Sequence, residues 1–306
     1  MKGAIPNQAL IRYLIENYYQ GGVSRRDSDF VSSHWKYYSD MFKLELDDEG
    51  NLLALSGTGF GTCKWASPVH QLLDELCFFS HLIHLPHKWE IIRLRAIAGK
   101  ICKAMGMDPT FDVFRQVCSM ELIKRELPAD MLCKRMHALM IGDGYGVLSA
   151  LFRSIFSNSA IVMVDIGKTL LFQAYYCQKA HPDCVHELAN TAVELDSVDF
   201  VYCPTEQLEI FGRFEFDIAI NIASMQEMDV PTIARYFDFL RNCLRPNNLF
   251  YCCNRESKTL HGGEVSKFME YPWQDGDRYL VDGYCPWHQY FFSQLIPPGL
   301  VICFYY

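Results

Sequence analysis

Gly142-Asp143-Gly144-Tyr145-Gly146 follows a short apolar run, His137 to Ile141, and precedes a helical run, Val147 to Phe156. Glycines at alternate positions between a strand and a helix let the backbone turn tightly and aim its N–H groups at a nucleotide-like ligand. Nineteen residues beyond Gly146, after the apolar run Ala160-Ile-Val-Met-Val, stands Asp165. A carboxylate at that strand end can accept hydrogen bonds from both ribose hydroxyls of an adenosine-containing ligand. A third run ends at Cys203-Pro-Thr-Glu, where backbone groups and Thr205 or Glu206 could meet an adenine edge. The competing reading is an ordinary tight turn; the flanking strand and helix and the position of Asp165 favour a cofactor loop.

A dinucleotide fingerprint carries a glycine at its sixth position, where the helix packs closely on the strand. Val147 stands there instead, which favours S-adenosylmethionine over NAD. A second glycine run, Ser56-Gly-Thr-Gly-Phe-Gly, follows only a weak strand, and Pro68 interrupts the helix that a phosphate site needs; it reads as a loop.

The elements that must position these residues change character along the chain. Asn7 to Gln20 places Leu10, Ile11, Leu14 and Ile15 on one helical stripe, with Asn7 as N-cap and Gly21-Gly22 as stop. After the polar turn Ser24 to Asp29 comes an aromatic-rich segment, Phe30 to Phe42, and then an acidic Gly-containing turn that could join two short strands. Helices are predicted over 69–84 and 88–105, with Pro109 starting a third. From His137 the rhythm alternates: strands over 137–141, 160–164, 198–202, 216–221 and 248–253, helices over 146–156, 168–180, 187–193 and 230–243, and an edge strand at Leu300 to Tyr306. Continuously apolar strands belong in a parallel sheet covered on both faces. This divides the chain into residues 1–130, a helical cap and substrate region, and 131–306, a cofactor-binding catalytic region.

With 306 residues, half of them hydrophobic, the chain can bury a sizeable core. Its net charge of −8 argues against nucleic acid as a partner, because a polyanion is held by clustered Lys and Arg. The thirteen cysteines are scattered, odd in number and mostly within apolar runs, as expected of reduced thiols in a cytoplasmic protein. Residues Met1 to Gln8 lack an apolar signal core, and no apolar run reaches the roughly 20 residues of a membrane span. A homodimer is compatible with the sequence.

Leu139-Met-Ile-Gly-Asp-Gly-Tyr-Gly, Met163-Val-Asp-Ile, Asn221-Ile-Ala-Ser-Met-Gln-Glu-Met and Phe250-Tyr-Cys-Cys-Asn-Arg together resemble the class I S-adenosylmethionine-dependent methyltransferases, and most closely the sugar O-methyltransferase family. The similarity covers residues 130–306 well and the upstream helices, including Ser33-His-Trp, more weakly. It implies an α/β Rossmann-like sheet of seven strands with the last antiparallel. It also implies cofactor contacts at Gly142, Asp143, Gly144, Gly146, Asp165 and Ile166, and at the third and fourth strand ends, Cys203, Thr205, Asn221 and Ile222. The class usually has an acidic residue two positions before the first glycine, where this chain has Met140; Asp143 could substitute.

The implied reaction is O-methylation of a sugar hydroxyl, free, nucleotide-linked or on a glycan or glycosylated metabolite. A different acceptor, such as a peptide nitrogen or a small natural product, and a non-catalytic binding protein of the same fold are the alternatives. Methyl transfer from a sulfonium is an in-line displacement, and a protonated hydroxyl needs a general base, worth about 10²- to 10⁴-fold. Glu227, just beyond the fourth strand, is the first candidate, unless it caps the helix after Pro231. His288 and His261 are alternatives, each open to a structural role. Asn254 and Arg255 could orient substrate. The aromatics Tyr271, Trp273, Tyr279, Tyr284, Trp287, Tyr290, Phe291 and Phe292 suit a sugar's apolar faces or, more prosaically, the core of the last strands. No metal is predicted: Pro86 breaks the spacing of His81, His84 and His87, and Asp275, Asp277 and Asp282 read as a solvated loop.

Overall fold

The computed structural model describes residues 7–19, 31–57, 60–61, 63–288 and 300–305. The predicted stop at Gly21-Gly22, the turn Ser24 to Asp29, Thr58 and Gly59 of the second glycine run, and Tyr290, Phe291 and Phe292 lie outside them.

The first helix, α1 (Gln8–Tyr18), starts where Asn7 accepts a hydrogen bond from the Ala9 N–H, and it buries Leu10, Ile11, Leu14, Ile15 and Tyr18. A shorter helix of seven residues, α2 (Ser33–Ser39), is capped by Ser32. The acidic turn joins a hairpin of β1 (Lys43–Leu46) and β2 (Leu52–Ser56), its side chain Asp47 accepting from Glu49 and Asn51 N–H groups. Then come α3 (Pro68–His84), α4 (Lys88–Met105) and α5 (Phe111–Glu126). The third helix begins two residues after Pro109, because Thr110 takes the extended N-cap conformation ahead of Phe111.

The alternating part contains β3 (Met136–Ile141), α6 (Val147–Ile155), β4 (Ser159–Asp165), α7 (Gly167–Ala180), β5 (His186–Leu188), β6 (Phe200–Pro204), β7 (Phe216–Ile222), α8 (Val230–Cys243) and β8 (Leu244–Arg255). A small hairpin, β9 (Ser257–Thr259) and β10 (Val265–Lys267), precedes β11 (Tyr279–Tyr284) and β12 (Leu300–Tyr305). One sheet runs in the order β11-β12-β8-β7-β3-β4-β6-β5. All neighbours from β5 to β8 pair parallel, and β12 is antiparallel to both β8 and β11. This is the α/β Rossmann-like sheet with its last strand antiparallel, extended by an eighth strand at the β5 edge.

That edge strand replaces the helix predicted over 187–193. Glu187 and Leu188 pair with Val201 and Tyr202, and the Ala189 N–H donates to the Tyr202 carbonyl. Asn190 then accepts from the Ala192 N–H and turns the chain. Open ladder positions on β6 outweighed a weak helical pattern. The third strand accordingly lies two residues later than the predicted 198–202.

Alternate residues of the central strands feed two cores. Ile161 and Met163 of β4 face α5, α6 and α7, with α4 packed on α5, α6 and α7; Ala160, Val162 and Val164 face α8. No helix among the described residues is long and apolar enough to cross a membrane. The twelve cysteines from Cys63 to Cys285 are free thiols.

At the carboxyl ends of β3, β7 and β8 the buried Asn221 ties the strands together. Its amide donates to the Ile141 carbonyl at 2.9 Å, and its oxygen accepts from Asn254 Nδ2 at 2.8 Å and the Met225 N–H at 3.3 Å. Asn221→Ala leaves three buried polar groups without their partner and should cost about 2–4 kcal/mol, seen as a lower urea midpoint with an unchanged m-value.

Candidate functional site

The order of strands reverses at β3, whose neighbours are β4 and β7, and a cavity of about 550 Å³ opens beyond their carboxyl ends. That volume falls in the range of about 300–1,000 Å³ typical of small-molecule sites, and its place is the one where open α/β sheets bind ligands.

Gly142, Gly144 and Gly146 have φ of 73°, 55° and 80°, the left-handed region that favours glycine. Each is also closely approached. A Cβ on Gly142 would meet Ser224 Oγ at 1.8 Å, one on Gly144 Phe60 Cβ at 3.1 Å, and one on Gly146 Cys177 Sγ at 2.7 Å. Between them Asp143 turns back onto α6 and accepts from the N–H groups of Leu148 at 3.2 Å and Ser149 at 2.7 Å. Burial pushes its carboxyl up to about 6 against the pull of those bonds.

Asp165 ends the adjacent strand, Ile141 pairing with Val164 just before it. It accepts from the Ile166 N–H at 2.8 Å and Gln173 Nε2 at 2.6 Å, yet burial pushes it up to about 8. The Thr169 hydroxyl, on the same cavity wall, is buried with no hydrogen-bond partner among the described residues.

Of the sequence-predicted cofactor residues, the structure brings Gly142, Asp143, Gly144, Asp165 and Ile222 to the cavity wall. Gly146 and Ile166 are instead the N-cap residues of α6 and α7. Cys203 is fully buried, and the Thr205 hydroxyl bonds the Tyr236 hydroxyl at 3.2 Å. Asn221 serves the strand ends described above. Next to the third strand end, Glu206 accepts from the Tyr18 hydroxyl at 2.8 Å, and the Tyr18 ring lies 2.1 Å from where a Cβ on Gly167 would be. Helix α1 therefore covers the flank that the sequence assigns to an adenine edge.

The opposite wall carries all three candidate bases, Glu227, His288 and His261. Ala223, ending β7, has φ 56°, a conformation costing an L-residue about 1–3 kcal/mol, and its N–H is held by the Cys253 carbonyl at 2.7 Å. The turn that follows is clamped to β8: the Gln226 N–H donates to Asn254 Oδ1, and the Arg255 N–H donates to Gln226 Oε1. Glu227 is thereby presented to the cavity, while Asp229 caps α8. Lys258 Nζ lies 2.5 Å from Glu227 Oε1 and His34 Nε2 lies 3.4 Å from it. Burial raises the Glu227 carboxyl, with Lys258 opposing. His34 is pulled down to about 4 by burial and by Lys258, so it is neutral near pH 7.

His261 is exposed at the rim, stacked on Tyr37 at 4.2 Å between ring centroids. His288 sits with Nδ1 2.9 Å from Cys285 Sγ and 3.5 Å from Cys253 Sγ. Burial pushes the Cys253 thiol up, but the Cys285 thiol and His288 more than offset it, leaving it at about 5.

Packing separates the remaining candidates. Asn254 is fully buried and structural; Arg255 does line the cavity. Tyr271 and Trp273 pack with Phe237 and Phe268 on the α8 side, and Trp287 donates to Ser119 Oγ in the core. Apart from the histidines, the aromatic rings of the cavity come from the N-terminal region, namely Trp35, Tyr38 and Phe60, together with Tyr145 of the loop. Asp277 is engaged by Arg241 at 2.8 Å, and His81 Nδ1 contacts the Cys77 carbonyl. Sequence reasoning missed Asp112, Lys258 and the Cys253/Cys285/His288 group; only the Cys-x-x-His spacing of the last offered a signal.

No protein-family model matches the chain, and no curated protein matches it. Among solved structures it is similar to a candidate O-methyltransferase from Nostoc punctiforme, with 12% identity and a TM-score of 0.42 over 63% of this chain and 55% of that one. A candidate sarcosine dimethylglycine methyltransferase from Galdieria sulphuraria gives 12% identity and 0.41, covering 61% and 82%, and DhpI in complex with SAH gives 10% and 0.37, covering 71% and 94%. The chain thus spans little more than half the length of the Nostoc protein.

Asp165 makes stability depend on pH. The folded carboxyl keeps its proton to about 8, whereas an unperturbed aspartate releases it at 3.8, so between these values the folded state binds the extra proton. Its contribution to stability therefore falls as pH rises from about 4 to about 8. Urea unfolding at about pH 5 and about pH 8 should show Asp165→Asn gaining stability relative to the parent at the higher pH; parallel profiles would contradict the shift.

Proposed function

We propose that the chain is an S-adenosylmethionine-dependent methyltransferase acting on a sugar hydroxyl, free, nucleotide-linked or on a glycosylated metabolite. One observation carries this reading: the glycine loop, Asp165 and the buried Glu227 with its Lys258 and His34 neighbours border a single cavity.

The residues present fit the methyl donor. Asp165 and the Thr169 hydroxyl suit a ribose diol. Met140, buried in the wall, supplies no charge for the amino-acid end, but Asp112 and Arg115 of α5 face the cavity as a pair with Nη1 2.9 Å from Oδ1. A carboxylate beside a guanidinium is complementary to a zwitterionic α-amino acid, the aspartate for its ammonium and the arginine for its carboxylate. Asp112 lies 3.7 Å from where a Cβ on Gly61 would be, and Phe60 of the same segment packs on Gly144, so the pair adjoins the glycine loop. When bound, the donor supplies a methyl group on a positively charged sulfur, transferred by in-line displacement.

Glu227 is the base in this reading. Desolvation raises its proton affinity, Lys258 holds its carboxylate in place, and neutral His34 adds an imidazole within 3.4 Å. Trp35 and Tyr38 offer faces for a sugar's C–H surface, with Arg255, Lys258 and His261 for its hydroxyls. The helical region of residues 1–130 then acts as a cap over both halves, α2 supplying Trp35 and Tyr38 to the acceptor side and α5 supplying Asp112 and Arg115 to the donor side.

A thermal melt with S-adenosylhomocysteine at 100 times its dissociation constant should gain about 2.7 kcal/mol. A gain with NAD and none with the methyl-donor ligands would overturn the proposal. In a tritiated-methyl assay over a sugar panel, Glu227→Gln should lower turnover by about 100-fold or more while cofactor affinity stays near the parent's; unchanged turnover removes Glu227 from the base role.

A further inference from the structure

We propose that Cys253, Cys285 and His288 form a zinc site whose fourth coordination position opens onto the cavity. Among the described residues this is the group of His, Cys, Asp and Glu donors close enough to share an ion, its Sγ, Sγ and Nδ1 atoms lying within 4.8 Å of one another.

The spacing fits the ion. Zn–S bonds of about 2.3 Å and Zn–N bonds of about 2.0–2.1 Å at tetrahedral angles place sulfur and nitrogen about 3.6 Å apart. His288 Nδ1 is already 3.5 Å from Cys253 Sγ; its 2.9 Å contact with Cys285 Sγ would open by about 0.7 Å to reach that spacing.

The donors are held by rigid elements. Cys253 lies on β8 between β7 and β12, paired with Ile222 and Ile302. Cys285 immediately precedes a single turn, Pro286–His288, which His288 ends, and the Trp287 indole N–H donates to Ser119 Oγ at 3.1 Å. Tyr251, on the same strand as Cys253, donates its hydroxyl to Ser119 Oγ at 2.9 Å. One α5 serine therefore braces both halves of the site.

Charge and softness choose the metal. Two thiolates neutralise a divalent cation, so the full burial of both cysteines is compatible with binding, and thiolate with imidazole favours zinc over magnesium or calcium. His288 borders the cavity whereas both sulfurs are buried, so an exchangeable fourth ligand would enter from the acceptor side. Three protein donors and one open position are the arrangement of zinc that polarises a bound oxygen or sulfur.

The test needs no methyl donor, so it stands or falls apart from the proposed activity. The full chain, purified under reductant and stripped with a chelator, is titrated with zinc against a chromophoric competitor and separately with cobalt. The parent should bind one zinc and show thiolate-to-cobalt charge transfer with the intense d–d bands of a tetrahedral site. Cys285→Ser and His288→Ala should weaken zinc binding by roughly 100-fold or more, while Cys133→Ser at an exposed position keeps it. No binding and no cobalt spectrum in the parent would overturn the proposal without recourse to variants. Binding that survives both substitutions would overturn it too.

Discussion

A parallel strand in mid-sheet must be covered on both sides, and this constraint organises the molecule. Residues 160–164 of β4 expose nothing to solvent, and their side chains alternate between two separate cores. Helices α6 and α7 cover only part of one face, so α5 completes it, reaching β8 through the Ser119–Tyr251 hydrogen bond. The N-terminal helices are therefore part of the sheet's packing. Because α5 must lie on the sheet, its first turn arrives at the strand ends and brings Asp112, Arg115 and Gln116 to the cavity. Packing demand thus delivers binding groups.

The electrostatics of the cavity divide along the same line. Asp143 and Asp165 are met by backbone and amide N–H groups, and burial leaves both with raised proton affinity. Glu227 and Asp112 each have a cationic side chain beside them. A positively charged ligand is thus favoured near the loop acids, where it relieves the desolvation that holds their protons. The global charge of −8 reveals none of this; the positions of individual acids in the sheet do.

The fold was legible wherever local pattern and tertiary demand agreed. The strand-glycine-helix signal at 136–155, the acid at 165 and the helix 230–243 all stand where apolar periodicity and caps place them. Segment 187–193 was illegible because its backbone is satisfied by a neighbouring strand that local sequence cannot see. The glycine loop and Asp165 lie close together in sequence and are therefore readable, whereas Asp112 and Arg115 reach the same cavity from a separate helix. The opposite wall assembles His34, Lys258 and His288 from distant segments, and only packing brings them together. Tyr271 and Trp273 show the converse: aromatic composition left a sugar platform and a core role both open, and alternation in β8 directs that cluster to the core on the opposite face.

The two halves are locked together at a single point. Ser224 occupies the space that a side chain on Gly142 would need, so the turn carrying Glu227 rests directly on the first glycine of the loop. Asn221 fixes the same turn from below by accepting from the Met225 N–H while donating to the Ile141 carbonyl, and Ala223 holds a strained backbone to complete the approach. Glycine at position 142 therefore serves two purposes, a left-handed turn and the absence of a side chain. In the proposed reaction, near-attack geometry tolerates little displacement between the donor and the wall that carries Glu227. In this fold that separation is set by backbone contacts at the strand ends, not by flexible side chains reaching across the cavity.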